Sequence, residues 1–193
     1  MSSSSLRLAT GATIPTLGFG TWQIPDGAPA YDATAAALRA GYRHVDSARA
    51  YGNEASVGRA VRDSGLSRGE VFVTSKLPAE IKDHRQVQAS FDQTMRQLTL
   101  DYVDLYLIHA PWPWSEIGKD CTAQNKQVWA QMEAIHATGR ARAIGTAKEC
   151  STPCGRVAVG DQHRRAGSFC AASQKRQQQN RCARCRHDDA VGA

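Results

Sequence analysis

Leu105-Tyr106-Leu107-Ile108 is an unbroken apolar run, entered through Asp101-Tyr102-Val103-Asp104 and closed by His109. Apolar residues in succession, with no polar alternation, mark a strand covered on both faces, as parallel sheets are between layers of helix. Upstream, Val71-Phe72-Val73-Thr74-Ser75 is rich in β-branched and aromatic residues and reads as a second strand. Between the two, Val87, Phe91, Met95 and Leu98 recur at helical spacing and form one apolar face. Downstream, Val128, Met132 and Ile135 make another such face, closed at Gly139, and Ala141-Arg142-Ala143-Ile144 follows as a strand.

The same alternation extends toward the N-terminus. His44-Val45-Asp46 reads as a short strand. Asn53 stands as N-cap of a helix whose stripe is Val57, Ala60 and Val61 and whose end is Gly65. Tyr31 to Ala40 is Ala-rich and helical, with Gly41 placed to terminate it. Leu17-Gly18-Phe19-Gly20-Thr21-Trp22 is the first buried strand, preceded by short extended pieces that turn at Thr10-Gly11 and near Pro15. Strands separated throughout by helices predict an α/β fold with a parallel sheet and right-handed crossovers.

The 193 residues suit one domain but fall short of the roughly 250 of a full eight-stranded α/β barrel. No stretch of about 18 apolar residues occurs, so neither a membrane span nor a membrane partner is expected. The polar start Met1–Ser5 lacks the basic and apolar regions of an export signal, and the expected compartment is cytoplasmic.

Charge divides the chain in two. Residues 1–145 carry 15 Lys+Arg against 14 Asp+Glu, and residues 146–193 carry 9 against 4, so +5 of the total +6 lies in the last quarter. From Thr146 to Ala193 the large aliphatic and aromatic residues are Val157, Val159, Phe169 and Val191, at neither strand nor helix period. Such a segment buries too little to offset the entropy of ordering it, and a disordered tail is expected. Cys150-x3-Cys154 and Cys182-x2-Cys185, with His163 and His187, admit a zinc reading. No apolar knuckle surrounds them, and no metal is expected. The basic Lys175–Arg186 stretch admits electrostatic contact with nucleic acid; read as a solvated run, it implies no nucleic-acid partner.

The chemistry lies in the body. Asp46 ends one strand, Tyr51 lies in the loop after it, Lys76 ends the next and His109 the one after. In a parallel α/β barrel the C-terminal strand ends share one face. Singly, a strand-end Asp or Lys reads as a solvated loop residue and His109 as a satisfied core histidine; in order along one rim they read as a site. A phenol with pKa near ~10 donates a proton poorly at neutral pH. A neighbouring ammonium favours the phenolate and lowers that value. Asp46 would hold Lys76 charged and in place, and His109 would orient a substrate oxygen, which suits protonation of a carbonyl oxygen as hydride reaches its carbon.

Five stretches, Leu17–Trp22, Gly41-Tyr42-Arg43-His44-Val45-Asp46-Ser47-Ala48, Tyr51-Gly52-Asn53-Glu54, Thr74-Ser75-Lys76-Leu77 and Asp101–His109, stand in the order and at the separations found in the aldo-keto reductases. Residues 6–145 resemble that family, and most of all its microbial diketogluconate-reductase-like branch. The resemblance implies a fold of (β/α)8 TIM-barrel type, incomplete at about five βα strands, followed by a non-homologous tail. It implies NADPH bound without a Rossmann domain, and reduction of a small aldehyde or ketone to an alcohol. Gly18-x-Gly20 lacks the later glycine and the helix of a dinucleotide fingerprint.

By resemblance, Asp46, Tyr51, Lys76 and His109 match the catalytic tetrad, with Tyr51 the acid. Thr21 and Asp46 face the nicotinamide, and Trp22 and Trp112 line an aromatic substrate pocket, core packing being the equal alternative for both. Ala110-Pro111-Trp112-Pro113-Trp114 replaces the family's His-Trp-Pro run, leaving open which of Trp112 and Trp114 faces substrate. After Ile144-Gly145 the family's Val-Ser-Asn-Phe continuation, whose Ser-Asn pair binds the carboxamide, gives way to Thr146-Ala147-Lys148-Glu149-Cys150. The expectation is a shift of reading frame at or just after Gly145, with loss of the later cofactor-binding strands. The alternatives are an inactive partial barrel and a basic, zinc-binding tail protein. No oligomeric state follows from the sequence.

Overall fold

A computed structural model describes residues 4–8 and 10–147 of the chain. An antiparallel hairpin, β1 (Ser5–Arg7) and β2 (Thr13–Pro15), sets Leu6 opposite Ile14. The main sheet follows with its helices: β3 (Phe19–Gly20), α1 (Ala28–Arg39), β4 (His44–Asp46), α2 (Glu54–Asp63), β5 (Phe72–Leu77), α3 (Val87–Leu98), β6 (Leu105–Ile108), α4 (Thr122–Ala137) and β7 (Ile144–Thr146). Every neighbouring pair in this sheet is parallel, and the strands lie side by side in chain order. Winding that never reverses has no topological switch point, so the sheet is an arc of a (β/α)8 barrel and not a doubly wound sheet.

Several boundaries differ from the sequence expectation for identifiable reasons. The strand expected over Leu17–Trp22 pairs only at Phe19 and Gly20. Thr21 still donates its N–H to Asp46 O at 3.0 Å, and the chain then leaves the sheet through Gln23 at φ 63. Helix α1 starts at Ala28 instead of Tyr31, since Pro29 is tolerated in a first turn, where the N–H it lacks has no intrahelical partner. The strand expected at Ala141–Ile144 is Ile144–Thr146. Leaving α4 through Gly139 at φ 76, the chain makes a single bridge between Ala141 and Val103 before it joins the sheet. Thr146 and Ala147 were expected in the tail; instead Thr146 belongs to β7, and Ala147 donates to Ile108 O at 2.9 Å.

The two faces of the sheet are filled unequally. Side chains alternate along a strand, and Val45, Val73, Leu77, Tyr106 and Ile108 turn toward the helices, where all are buried. There they meet Val57, Val61, Phe91, Met95, Leu98, Val128, Met132 and Ile135, as the helical spacing predicts. The Phe91 and Tyr106 rings meet edge to face at 4.9 Å between centroids, a favoured aromatic geometry. Helix α2 comes so close to the end of α3 that a Cβ at Gly58 would lie 2.0 Å from Leu98 O. The opposite, inner face carries His44, Asp46, Phe72, Thr74, Lys76, Leu105 and Leu107. Leu105 and Leu107 are only half-buried, so β6 is covered fully on its helix side alone. Barrel interiors are packed by side chains from all round the closed sheet, and the described arc has five of those strands.

No described helix is long and apolar enough to cross a membrane. The expected disorder beyond Ala147 and the zinc and nucleic-acid readings of Cys150, Cys154, His163, Cys182, Cys185, His187 and Lys175–Arg186 lie outside the described residues.

Candidate active site

The C-terminal rim of the sheet is built by backbone bonds that continue the ladder past the strand ends. Thr21 N reaches Asp46 O at 3.0 Å, Ser47 N reaches Thr74 O at 3.0 Å and His109 N reaches Leu77 O at 3.1 Å. Asp46, Lys76 and His109 are thereby held on one edge. Tyr51 joins them from a single helical turn, Arg49–Tyr51, that follows β4 and ends at Gly52, whose φ of 73 suits the residue without a Cβ.

The convergence centres on Lys76, which is 5% exposed. Its Nζ donates to Asp46 Oδ1 at 2.7 Å, to Ser47 O at 2.8 Å and to Tyr51 Oη at 3.4 Å. Three acceptors match the three protons of an ammonium. Nζ also lies 5.0 Å from the centre of the Tyr51 ring. His109 also meets the phenol, its ring 5.6 Å from that of Tyr51 and inclined at 72°. Asp46, Tyr51, Lys76 and His109 therefore meet in one place.

The other candidates are placed differently. Thr21 is fully buried, its hydroxyl donating toward Asp46 O and Asn53 Oδ1, both at 3.4 Å. It shapes the rim from behind and presents no surface of its own. Asp46 keeps 35% of its side chain exposed while Oδ1 meets Lys76, so it can face a bound group. Trp22 is 52% exposed. The indole nitrogen of Trp112 is buried without a hydrogen-bond partner among the described residues. Trp114, and not Trp112, meets His109, edge-on at 5.4 Å. The loop between them is fastened by Lys82 Nζ to Ala110 O and Asn125 Nδ2 to Pro111 O, both at 2.8 Å.

Three contributors escape a reading by residue type. Asn53 occupies the N-cap position of α2 but makes no side-chain cap bond. Its amide instead donates to Thr21 O at 2.8 Å and Ile24 O at 2.9 Å, while Oδ1 accepts from Ser47 Oγ at 3.3 Å. It binds together the loops after β3 and β4. Ser47 acts through its carbonyl, for which the side chain leaves no signal. Glu54 lies behind β5, 3% exposed, accepting from Ser75 Oγ at 2.6 Å. Burial pushes its carboxyl up to about 7, against the opposing hydrogen bond from Ser75 and the charges of Arg49 and Lys76.

A strand-rim lysine shared between a carboxylate and a phenol, on a sheet wound in one direction, is a specific arrangement, and similarity across sequences agrees with it. The model of the aldo/keto reductase family matches residues 16–153. The chain belongs to the aldo/keto reductase family. It is 40% identical over 163 residues to an aldehyde reductase of Saccharomyces cerevisiae, covering 75% of this chain and 51% of that one. It is 38% identical over 141 residues to a glyoxal reductase of Bacillus subtilis, covering 73% and 48% respectively. Among solved structures, an aldo/keto reductase from Brucella melitensis superposes with a TM-score of 0.71 at 36% identity, over 78% of this chain and 56% of that one. The chain thus spans about half the length of the curated aldo/keto reductases it matches.

Proposed function

We propose that this chain carries the proton-donating site of an NADPH-dependent carbonyl reductase, with Tyr51 as the acid, Lys76 and Asp46 as its electrostatic support and His109 as the orienting group. The observation that carries the reading is the placement of Lys76 Nζ, 2.7 Å from Asp46 Oδ1 and 3.4 Å from Tyr51 Oη. An ammonium beside a phenol stabilises the phenolate that proton donation leaves behind. The Asp46 carboxylate, at hydrogen-bond distance, keeps that ammonium charged and fixed. His109, its ring 5.6 Å from that of Tyr51, would donate to a carbonyl oxygen that accepts from Tyr51, and donors set in advance around a developing oxyanion lower the barrier. When bound, NADPH would supply the hydride that reaches the carbonyl carbon. One-third exposed on the rim, Asp46 fits a role in holding the nicotinamide end, with Thr21 fixing its backbone from behind. Trp22 and Trp114 supply aromatic surface toward an aldehyde or ketone, Trp114 by its contact with His109.

The relatives named above, an aldehyde reductase and a glyoxal reductase, support the same substrate class. Fluorescence titration of the 193-residue chain with NADPH, followed by turnover of a simple aldehyde, tests the proposal. Saturable binding with turnover that Tyr51→Phe abolishes is the expected result. The second reading is an inactive partial barrel, favoured by the half-buried inner face at Leu105 and Leu107. Absence of saturable NADPH binding by a chain that folds would decide for it.

A further inference from the structure

The turn that bears Tyr51 is a short segment with local bonds of its own. Tyr51 N bonds Ala48 O at 2.9 Å and Gly52 N bonds Arg49 O at 3.1 Å. Bonds between near neighbours give the turn a shape but do not fix its position relative to β5, where Lys76 sits. A long-range tie comes from Arg49, the first residue of the turn. Its guanidinium reaches over to α3, donating to Ser90 Oγ at 2.7 Å and to Gln93 Oε1. Ser90 is buried, and it and Gln93 lie on a helix whose Phe91, Met95 and Leu98 are locked in the core.

We propose, building on the reductase reading above, that Arg49 is a positioning residue for Tyr51, mooring the acid-bearing turn to α3 so that the phenol oxygen stays within reach of Lys76. Arginine suits this because its planar fork can engage two acceptors at once in a fixed relation, which a lysine point charge cannot. The lever is short: Arg49 and Tyr51 share one turn, so a tilt of that turn is carried directly to the phenol, and the 3.4 Å contact with Lys76 has little slack. Misplacement of a reacting group by about 1 Å can cost on the order of 10²-fold in rate. The titratable groups that interact with Arg49 are Glu54 from α2 and Tyr106 from β6, while α3 contributes the neutral Ser90 and Gln93.

The test reads the phenol itself and needs no turnover. Tyrosinate absorbance of the full 193-residue chain is titrated and the Tyr51→Phe curve subtracted, which isolates Tyr51 among the five tyrosines. Circular dichroism confirms that each variant is folded. Lys76→Met is the control for the underlying reading and should raise the Tyr51 midpoint; if it does not, the reductase reading fails at its electrostatic core. Arg49→Lys keeps the charge and loses the fork. The double variant Ser90→Ala/Gln93→Ala keeps Arg49 and loses both acceptors. Each is expected to raise the midpoint by about 0.5 pH unit or more, in the direction of Lys76→Met. Wild-type midpoints in both, with Lys76→Met shifted, would overturn the role of Arg49 and leave the reductase reading intact.

Discussion

The helix-facing and inner faces of the one sheet have settled different problems. Toward the helices, Val45, Val73, Leu77 and Tyr106 have no exposed surface and pack into a continuous apolar layer. Toward the inside, Leu105 and Leu107 are half-buried, and the polar residues of the rim, Asp46, Lys76 and His109, take over at its C-terminal edge. Cohesion thus belongs to the βα layers, each strand with the helices beside it. On the reductase reading proposed above, the chemistry belongs to the rim, where backbone bonds between neighbouring strands set the spacing.

Substitutions on the two sides should therefore separate stability from reactivity. Phe91→Ala, which empties the helix-side contact with Tyr106, should cost about 3–5 kcal/mol in urea unfolding of the whole chain. An effect no larger than that of an inner-face truncation would break the distinction. On the same reading, Tyr51→Phe should lower carbonyl turnover by about 10²–10⁴-fold while costing unfolding only about 1 kcal/mol, the loss of one partner of Lys76; a stability loss as large as that of Phe91→Ala would place Tyr51 with the core.

Glu54 sits between the two regimes, and its expected effect is intermediate. Its carboxyl is raised from an ordinary 4.5 to about 7 by burial. The folded chain therefore holds a proton that the unfolded chain releases between those values. Stability from this group is full below 4.5, declines as pH rises toward about 7 and is lost above it, a span of up to about 3 kcal/mol. Glu54→Gln should flatten the stability profile across that window and be the more stable protein at pH 8; an unchanged slope in denaturation series from pH 4 to 8 would contradict this. Leu107→Ala, on the inner face, should have the smallest effect, about 1 kcal/mol, and a value approaching that of Phe91→Ala would mean that the inner face is as tightly filled as the outer.

Much of this division could be read from the residues alone, because periodicity is a local property. The spacing of Val87, Phe91, Met95 and Leu98 reports one helix face, and each is buried. The run Leu105–Ile108 reports its strand to the residue. The approach of Asp46, Tyr51, Lys76 and His109 was expected from their order along successive strand ends, and the geometry brings them together. What stayed hidden depends on partners distant in sequence. Asn53 carries the signature of a helix cap, yet Thr21 and Ile24 attract its amide once the loops meet. Arg49 and Glu54 have no local pattern that separates them from surface charges; their partners Ser90, Gln93 and Ser75 are known only from the packed helices and strand. The two tryptophans of Trp112-Pro113-Trp114 differ only in which way the loop turns, which no spacing rule decides.

The bare backbone at Gly58 has a reach beyond its own contact. Because nothing projects from that position, α2 can nest against Leu98 at the end of α3, the same helix whose Ser90 and Gln93 receive the Arg49 guanidinium. Enlarging residue 58 by one methyl group would wedge the two helices apart, and with Arg49 mooring the turn as proposed, the disturbance would arrive at the phenol as a slackened tether.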